Sequence, residues 1–449
     1  KIIMGTGRSA GAWIISSRDG NNFVIEESNG IDDTSNSEIV PAHQQYNGFL
    51  YIWTSNNNGT EIWRTDNGSS WSQLLVNGNS NGLDGTADNI KITGEMISGS
   101  PGNSILAAGP LFVGTENKTT GCEIWTYNGT TWTKDADAGT DLSSCTNENK
   151  TASGAFFNER LYIGTFHDDC PTMAGGLYYS ASPWTVVTSS GFNDLNNVQL
   201  YPSYKSYNDY LYVGTLNYSG AQIWRSLSGN PYPADWEKVV DFSTITINGS
   251  QSNPQDPNNW EASSFSIPGD GYLYVALSND LTGAEVWRTD GTVWEQVNED
   301  GFYTGDGQYN SSVFLSRTAF RGNLFAGTAR KPVYGGAQLW KVKVVPYDDS
   351  NPHMVDKEGD IIIIGSSERK GIVNPDKGDV AEIQFRGSQY GRYELRIYTL
   401  LGELLYDDSK ESDADGRFYW IPEDIASGIY IVHIEGPGIN THEKAAILR

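Results

Sequence analysis

The sequence predicts an all-β fold, a seven-bladed β-propeller followed by a small immunoglobulin-like β-sandwich. Short stretches rich in aromatic and β-branched residues alternate with breaks of Gly, Pro, Asn and Ser, which is typical of short antiparallel strands. A unit of about 50 residues recurs seven times, as in proteins built from radially arranged sheets. After Val345 strand-like stretches continue without the repeat. We therefore expect a propeller over residues 1–345, a linker over 346–371 and a second domain over 372–449.

The clearest copy of the repeat covers residues 210–240. It predicts strands at 211–215 and 221–226 and a further strand from Trp236, separated by turns that contain Gly and Pro. A fourth strand precedes the first of these in most copies. Four strands per copy would form a small sheet that buries both faces against its neighbours.

All seven copies align on the residue that ends the first of these strands. The aligned residues are Thr6, Thr54, Thr115, Thr165, Thr215, Leu277 and Thr328. Further along, four copies carry Asp-Gly or Asn-Gly, which accept the positive φ angles of a tight hairpin turn. These dipeptides lie at 19–20, 67–68, 128–129 and 290–291, and an aromatic residue follows each of them.

Large aromatic and charged residues also recur at fixed positions. A fully buried large apolar side chain contributes roughly 1.5–3 kcal/mol, so we interpret the aromatic position as core and not as a ligand-stacking site. Because the charged residues occupy equivalent places in several copies, we expect them to form salt bridges or hydrogen bonds between blades and not to act as acid or base. The aromatic set is Trp63, Trp125, Trp224, Trp287 and Trp340, with Tyr178 and Ile15 in the other copies, and the charged set is Glu61, Glu123, Glu285, Arg64, Arg225 and Arg288.

The chain is strongly acidic, with a formal net charge of −25 at pH 7. This excess argues against nucleic acid or an anionic membrane surface as a partner, whereas it can attract divalent cations. No stretch approaches the roughly 20 apolar residues that span a bilayer, so we expect no transmembrane segment. Lys1 enters a strand of the first copy directly, as expected for a processed chain.

The three cysteines are Cys122, Cys145 and Cys170. Cys122 stands where other copies carry Ala or Thr, and we interpret it as a small buried residue. Cys145 and Cys170 lie in predicted loops that flank one strand pair. In an oxidising compartment they would form a disulfide, and otherwise they are separate thiols.

The long, variable, polar segments all fall on one face of the predicted propeller. Variable loops on a rigid scaffold commonly carry binding sites, so we expect any binding site on this face. The segments are 27–38, 77–89, 135–150, 191–197, 243–259 and 298–310.

One of these segments has carboxylates at alternate positions, Asp135 and Asp137, followed by Gly139 and Asp141. Calcium loops supply oxygen ligands in this manner, so calcium is the cofactor this loop suggests. The bidentate Glu of an EF-hand loop is missing downstream, however, and a solvated acidic loop is the simpler interpretation.

A second constellation is His167, Asp168, Asp169 and Cys170, in a loop found in one copy only. Imidazole, carboxylate and thiolate together can bind a transition metal. A surface loop that holds a disulfide is the simpler interpretation, and we keep His167, Asp168 and Asp169 as candidates on the binding face.

The last 78 residues or so resemble a known family. Asn374-Pro375, the stretch YELRIYTLLGELLYD from Tyr393 and the stretch ASGIYIVHIEG from Ala426 are similar to the C-terminal sorting domain of type IX secretion substrates and to the immunoglobulin-like domain of flagellar hook-capping proteins. The resemblance implies an immunoglobulin-like sandwich, export across an outer membrane, and attachment at or release from the cell surface.

The repeats also resemble those of secreted proteins of unassigned function, through the pattern Gly-Ala-Glu/Gln-aliphatic-Trp-Arg. The turn Asp/Asn-Gly-x-x-Trp is similar to the Asp-box of sialidase-like propellers, although its leading Ser is missing or displaced in most copies. Asp-boxes are structural turns, so this resemblance implies the fold and no activity.

The first copy lacks its first strand, and the seventh shows no fourth strand after Val345. A propeller normally completes one sheet with strands from both ends of the chain. We therefore expect a segment between Tyr347 and Ser367 to supply a missing strand, and DIIIIGSS, from Asp360, is the best candidate.

Two classes of function fit the sequence. The first is a non-catalytic extracellular or cell-surface protein whose propeller binds a glycan, a protein or another copy of itself, with the tail serving export and attachment. It is favoured because the chain has five His residues and no nucleophile–base pair is evident. The alternative is a secreted polysaccharide-active enzyme, a hydrolase or lyase, that uses the loop face and two unique carboxylates.

Overall fold

The structure is a computed structural model of the whole chain. The residues it describes are 1–448 except 47–48, 76–82, 84–88, 98–109, 118, 138–141, 143–147, 159, 168–173, 181–183, 228–234, 244–245, 248–249, 252–257, 303–308, 318, 321, 331–335, 345–354, 356–357, 365–370, 376–380, 421 and 423–424.

Two compact units make up the chain. The first comprises Lys1–Pro101 and Gly109–Tyr347, and the second includes Asp348–Arg449. The described residues are almost entirely strands and turns, with one short 3-10 helix at Asp300–Phe302 and no α-helix. Within this part of the chain no helix is long and apolar enough to cross a membrane.

The first unit consists of antiparallel sheets that follow one another along the chain. The first sheet contains β1 (Ile2–Gly5), β2 (Ile14–Ser17) and β3 (Val24–Glu27). The second contains β4 (Glu38–Tyr46), β5 (Phe49–Ser55), β6 (Ile62–Thr65) and β7 (Ser72–Leu75). The third contains β8 (Asn89–Ile97), β9 (Leu111–Asn117), β10 (Glu123–Tyr127) and β11 (Trp132–Asp137). The fourth contains β12 (Glu148–Phe157), β13 (Arg160–His167), β14 (Leu177–Tyr179) and β15 (Thr185–Thr188).

The remaining sheets continue the pattern. The fifth contains β16 (Gln199–Pro202), β17 (Tyr212–Leu216), β18 (Gln222–Ser226) and β19 (Trp236–Asp241), extended by the short hairpin β20 (Thr246–Ile247) and β21 (Ser250–Gln251). The sixth contains β22 (Asn259–Ser266), β23 (Leu273–Asn279), β24 (Glu285–Thr289) and β25 (Trp294–Gln296). The seventh contains β26 (Asn310–Leu315), β27 (Asn323–Arg330) and β28 (Ala337–Lys343).

Each complete sheet is a four-stranded meander. The strands predicted for residues 210–240 are confirmed, with the first shifted by one residue and the second beginning one residue later than predicted. The sheets are joined by contacts between consecutive members. The second strand of one sheet bridges the first strand of the next, as Ser55 does with Lys91 and Leu216 with Glu261. Sequential four-stranded meanders joined in this way are the arrangement of a β-propeller.

The seventh sheet also contacts the first. The Phe23 and Phe325 rings meet edge to face with centroids 6.3 Å apart, and Lys341 Nζ donates to the Gly20 carbonyl at 3.1 Å. The succession of sheets therefore returns to its start. Among the described residues the first sheet lacks a first strand and the seventh lacks a fourth, as the sequence predicted.

The recurring aromatic position lies in the core, as predicted. Trp63, Trp125, Trp287 and Tyr178 are buried, while Trp224 and Trp340 are half-buried. Cys122 is also buried, in a cluster with Ile124 and Tyr178.

The second unit has two sheets that enclose one apolar cluster, which includes Phe385, Leu395, Phe418 and Trp420. The strands are β29 (Ile361–Ile364), β30 (Ile372–Val373), β31 (Ala381–Arg386), β32 (Gly391–Thr399), β33 (Leu404–Ser412), β34 (Asp415–Trp420), β35 (Gly428–Gly436) and β36 (Ile439–Ile447). One sheet has the order β29-β31-β34 and the other β30-β36-β35-β32-β33.

The prediction that DIIIIGSS completes the propeller is wrong. Ile361–Ile364 pairs with Ala381–Arg386 inside the second unit, and Ile361 and Ile363 join its core. The physical reason is that alternate isoleucines of this strand need an apolar face, which the second unit provides. Residues 346–371, predicted to be a linker, thus contribute a strand to the second unit.

Candidate functional site

A buried polar relay recurs in the sheets of the first unit. An Asn at the start of a sheet donates to a Glu or Gln that begins the third strand, and the Trp two residues later donates to the same oxygen-bearing side chain. In the second sheet Asn36 donates to Glu61 at 2.8 Å and Trp63 Nε1 donates to it at 3.1 Å. A further Asn at the end of the second strand, Asn56, donates to Asn36 at 2.9 Å. The buried polar side chains of the relay in this sheet thus satisfy one another.

The same relay is built in other sheets with little variation. The Asn-to-acceptor pairs are Asn89 with Glu123 at 2.8 Å, Asn197 with Gln222 at 2.9 Å, Asn259 with Glu285 at 2.8 Å and Asn310 with Gln338 at 2.9 Å. The Trp-to-acceptor pairs are Trp125 with Glu123 at 2.8 Å, Trp224 with Gln222 at 3.0 Å and Trp287 with Glu285 at 2.7 Å.

The recurring glutamates are therefore structural, as the sequence predicted, but they act inside a sheet and not between blades. The reason is that the Asn partner begins the same sheet's first strand. Burial raises the pKa of Glu61 above its ordinary value, although hydrogen bonds from Asn36 and Trp63 act in the opposite direction. The recurring Arg64, Arg225 and Arg288 lie over aromatic rings of their own sheets, 4.4–4.7 Å from the ring centroids.

The Asp-Gly and Asn-Gly turns are also structural. Asp290 accepts hydrogen bonds from the backbone N–H groups of Thr292 and Val293, both at 2.8 Å, and the Gly291 N–H donates to Thr289 Oγ1 at 2.9 Å. Gly291 has a φ of 99°. The hydroxyl of Thr289, directly before Asp290, thus accepts a hydrogen bond inside this turn, which lacks the leading Ser of an Asp-box.

Hydrogen bonds join the segments that we expected on one face to a second set of loops, those between the second and third strands of each sheet. The loop that leads into a sheet contacts the loop between that sheet's second and third strands. Asn56 donates to Asp33 at 2.9 Å in the second sheet, and Asn217 donates to Asp194 at 3.3 Å in the fifth. We call the surface formed by these loops the loop face.

The loop face carries an exposed aromatic platform, defined by Tyr218 and Trp260. Tyr218, in the loop after β17, is 73% exposed. Its ring stacks on Trp260 of β22, with centroids 5.8 Å apart and planes inclined by 23°. Trp260 Nε1 is buried and has no hydrogen-bond partner among the described residues. The platform thus joins the fifth and sixth sheets and presents an open aromatic surface.

A polar cluster adjoins the platform in sequence and in the fold. Glu261 follows Trp260 and bridges Leu216 across the two sheets. Its Oε1 accepts from the Tyr201 hydroxyl at 2.5 Å and its Oε2 accepts from Ser278 Oγ at 2.9 Å. Gln199 Oε1 lies 2.8 Å from the same Tyr201 hydroxyl. The cluster thus fixes the carboxylate of Glu261, the residue that follows Trp260 in β22.

Tyr201 holds its proton in this arrangement. Burial raises its pKa well above the usual value, and the negative charge of Glu261 and the hydrogen bond to it raise the pKa further. The phenol therefore acts as a hydrogen-bond donor at neutral pH. An exposed aromatic surface can stack on an apolar ring face, and a fixed carboxylate can accept hydrogen bonds from hydroxyl groups.

The predicted calcium ligands have other partners where they are described. Asp135 Oδ2 accepts from Trp184 Nε1 at 3.0 Å, and Asp137 lies 3.5 Å from Lys134 Nζ. Asp141 lies outside the described residues. Within the described part of the chain no three His, Cys, Asp or Glu side chains come together as a metal site.

Most of the other candidates also fall outside the described residues, namely Asp168, Asp169, Cys145 and Cys170. The backbone of His167 ends β13, where it pairs with Glu148. The proposed disulfide and metal loop therefore stay predictions.

The platform and the relay asparagines were missed by sequence reasoning. Trp260 lies outside the recurring Trp position, and Tyr218 lies in the turn predicted between the strands at 211–215 and 221–226. A signal was present in the sequence. An Asn recurs at or shortly before the first strand of several sheets, and Trp260 immediately follows one of these residues, Asn259.

Comparisons with known proteins add distant structural similarity. No protein-family model and no curated protein matches the chain. A GH74 xyloglucanase from Xanthomonas campestris is 13% identical with a TM-score of 0.44, and the match covers 68% of this chain and 43% of that one. The lectin of Aleuria aurantia, described as a six-bladed β-propeller, is 11% identical with a TM-score of 0.42 and coverages of 66% and 88%. GH43B of Bacteroides ovatus is 12% identical with a TM-score of 0.33 and coverages of 90% and 89%. The chain spans less than half the length of the xyloglucanase, and similarity at this level assigns no activity to it.

Proposed function

We propose that the first unit is a seven-bladed propeller that binds glycans without catalysis, and that Tyr218 and Trp260 form the centre of the binding site. The observation that carries this proposal is the exposed, stacked pair on the loop face. A large aromatic ring that is 73% exposed gains free energy when a ligand covers it. Tyr and Trp are enriched at binding interfaces, because their rings are apolar while the Tyr hydroxyl and the Trp N–H can still form hydrogen bonds.

The chemistry around the platform favours a sugar over a purely apolar ligand. A pyranose ring has an apolar face of C–H groups that can stack on Tyr218, while its rim of hydroxyls can donate to Glu261. The fixed geometry of Glu261, held by Tyr201 and Ser278, lowers the cost of ordering the site on binding. With a net charge of −25 the chain disfavours strongly anionic polymers, so we propose a neutral glycan.

We further propose that the second unit is an immunoglobulin-like attachment domain and that the protein acts outside the cell. Two sheets around a single core, with β32 and β33 formed by the stretch that resembles a sorting domain, support this proposal. Export through a type IX system and attachment at the cell surface follow from that resemblance.

The alternative is a polysaccharide-active enzyme. One observation bears on it directly: the Tyr201–Glu261 pair joins a phenol and a carboxylate, and some glycosidases use a Tyr nucleophile. Glu261 accepts a hydrogen bond from the Tyr201 hydroxyl and could therefore act as the adjacent base that a nucleophile needs. Tyr201 is buried, however, whereas a nucleophile has to be open to its substrate, and this favours the binding role.

The test is a pair of assays on the full chain. We expect binding to neutral glycans on a glycan array and no release of reducing ends from the bound polysaccharides. Cleavage that Glu261→Gln abolishes would instead establish the enzyme, and the absence of binding to any glycan would contradict the proposal. Because Glu261→Gln keeps a hydrogen-bond acceptor beside Tyr201, it separates chemistry from loss of fold.

A further inference from the structure

Two of the five His residues of the chain lie opposite each other in the second unit. His433 of β35 and His442 of β36 are register partners across these antiparallel strands. The strands are joined by a two-residue turn between Gly436 and Ile439. The hairpin therefore determines which side chains face each other.

The register brings the two imidazole rings close together. In a hairpin with a two-residue turn, the residues that flank the turn form a hydrogen-bonded pair, and non-hydrogen-bonded and hydrogen-bonded pairs then alternate. Counted from Gly436 and Ile439, the two His residues form a non-hydrogen-bonded pair. The Cα atoms of such a pair are only about 4.5 Å apart, and its side chains leave the same face of the sheet. The rings of His433 and His442 thus start from neighbouring points.

This face of the sheet is open to solvent. Val432 and Ile434, on either side of His433, are buried in the core of the second unit. Because side chains alternate between the two faces of a strand, His433 points away from that core. His433 is half-buried and His442 is exposed. A dissolved metal ion can therefore reach both rings.

Asn440 orients the ring of His433. Nε2 of His433 lies 3.1 Å from Asn440 Oδ1, and because an amide oxygen only accepts, Nε2 carries the proton and Nδ1 keeps its lone pair. Asn440 lies in β36, two residues before His442 and on the same face, so this bond draws the ring toward the strand of its partner. A His that binds a metal almost always donates its other ring N–H to an oxygen in this manner.

The charges around the pair favour a cation. On this face, in the row of the pair and in the two adjacent rows, the charged side chains of β32, β33, β35 and β36 are Glu394, Glu435, Asp407, Arg396 and Lys444. Carboxylates thus outnumber cationic groups. Arg396, the residue opposite His433 in β32, forms ion pairs with Glu394 and with Glu435, the latter at 3.2 Å. Its positive charge is therefore compensated.

We propose that His433 and His442 together bind one divalent transition metal ion of the kind that favours imidazole, Cu²⁺, Ni²⁺ or Zn²⁺, with water in the other coordination positions. Ca²⁺ and Mg²⁺ favour oxygen ligands and are not expected here. Because the protein supplies two ligands where a structural zinc site has four, the ion binds reversibly. The bound ion links β35 to β36 and stabilises the folded second unit. The site uses neither Tyr218 nor Trp260, so it is independent of glycan binding.

The test is a titration of the full chain with CuCl2 after removal of metals by a chelator. An excess of MgCl2 occupies the unspecific sites of the acidic surface. We expect the wild type to bind one Cu²⁺ ion more than the double variant with His433→Asn and His442→Asn, and the electron paramagnetic resonance spectrum of that ion should show coupling to two ring nitrogens. Zn²⁺ should compete for the site more weakly than Cu²⁺ binds, whereas Ca²⁺ should not compete.

The single variants distinguish a chelate from two separate imidazoles. His433→Asn and His442→Asn should each weaken the site at least roughly tenfold, and the double variant should lose little more, because one ring alone gains nothing from the second. ZnCl2 should also raise the thermal transition of the second unit in the wild type and in neither single variant.

His43→Asn, which removes a His of β4 in the first unit, is the control and should leave the Cu²⁺ affinity unchanged. A wild type that binds no more Cu²⁺ than the double variant, single variants that keep the wild-type affinity, or two losses that simply add would each overturn the proposal. Unchanged circular dichroism of the variants confirms that they are folded.

Discussion

Gly164 of β13 lies against the backbone carbonyl of Leu200 in β16, so close that a Cβ built on Gly164 would stand 1.8 Å from that oxygen. These strands belong to neighbouring sheets, and the approach recurs where Gly5 faces Ile39 at 1.8 Å and Gly214 faces Ala262 at 1.9 Å. The Gly of the recurring Gly-Thr pair is thus required where the second strand of one sheet meets the first strand of the next.

Replacing Gly164 with Ala should therefore destabilise the first unit by about 3 kcal/mol or more, because backbone has to move to accommodate the methyl group. Gly327 is the matched control. It holds the same place in the seventh sheet, but nothing lies within 4 Å of its Cβ position. Gly327→Ala should stay within about 1 kcal/mol of the wild type. Urea unfolding followed by tryptophan fluorescence measures both, and equal effects would contradict the assignment of neighbouring sheets.

The buried relay predicts opposite results for two changes of Glu61. Glu61→Gln keeps an acceptor for Asn36 and Trp63 and copies the residue found at Gln222, so the fold should tolerate it. Glu61→Ala leaves two buried donors without a partner and should cost about 1–3 kcal/mol.

The pH dependence of this pair follows from the raised pKa of Glu61, which burial causes. Below the unfolded value of about 4.5 the carboxyl is neutral in both states and resembles Gln. As the pH rises through the folded pKa, the wild type loses stability that Glu61→Gln retains. The free energy of unfolding, measured from pH 4 to pH 8, should increase for Glu61→Gln relative to the wild type as the pH rises. A constant difference would argue against a buried charge.

The turn at Asp290 predicts the opposite pH behaviour. Backbone N–H groups, Val293 first, and the Thr292 side chain lower the pKa of Asp290 from 3.8 to about 2. Its contribution is present above pH 3.8 and is lost as the pH falls through about 2. Asp290→Asn keeps a side-chain oxygen that can accept the same backbone hydrogen bonds, as Asn67 does in the second sheet. The variant should therefore lose less stability than the wild type as the pH falls from 3.8 to about 2.

The reverse substitution provides the control for this turn. Asn67→Asp should acquire the acid sensitivity that Asp290→Asn loses, since Asn67 accepts the equivalent bonds from Ser69 and Ser70 at 2.9 and 2.8 Å. Thermal transitions recorded between pH 5 and pH 2 compare the variants. If Asn67→Asp changes nothing, the turn does not bind its carboxylate as described.

Much of the fold could be predicted because the recurring residues have physical requirements that only one place in a sheet satisfies. Trp287 needs burial, Gly291 needs a positive φ, and both recur at a fixed spacing. The isoleucines at Ile361–Ile364 were misassigned because a buried strand looks the same in either unit. Only the register with Ala381–Arg386 decides between them.

The candidate site was harder to predict because its residues do not repeat. Tyr218 and Trp260 lie far apart in sequence and belong to different sheets, and their stacking depends on how those sheets approach. Asn36 and Glu61 are likewise distant in sequence, so the sequence indicated a structural Glu but not its partner. The grouping of the two sets of loops on one side could be predicted, since it follows from alternating strand direction alone.

The affinity of the platform for a sugar tests the central claim most directly. Calorimetric titration of the full chain with the strongest ligand from the glycan array should show binding that Tyr218→Ala weakens at least roughly tenfold, or about 1.4 kcal/mol. Tyr419→Ala, which removes a Tyr 57% exposed on the second unit, should leave the affinity unchanged. Equal affinities for the wild type and Tyr218→Ala would contradict the assignment of Tyr218 and Trp260 as the binding site.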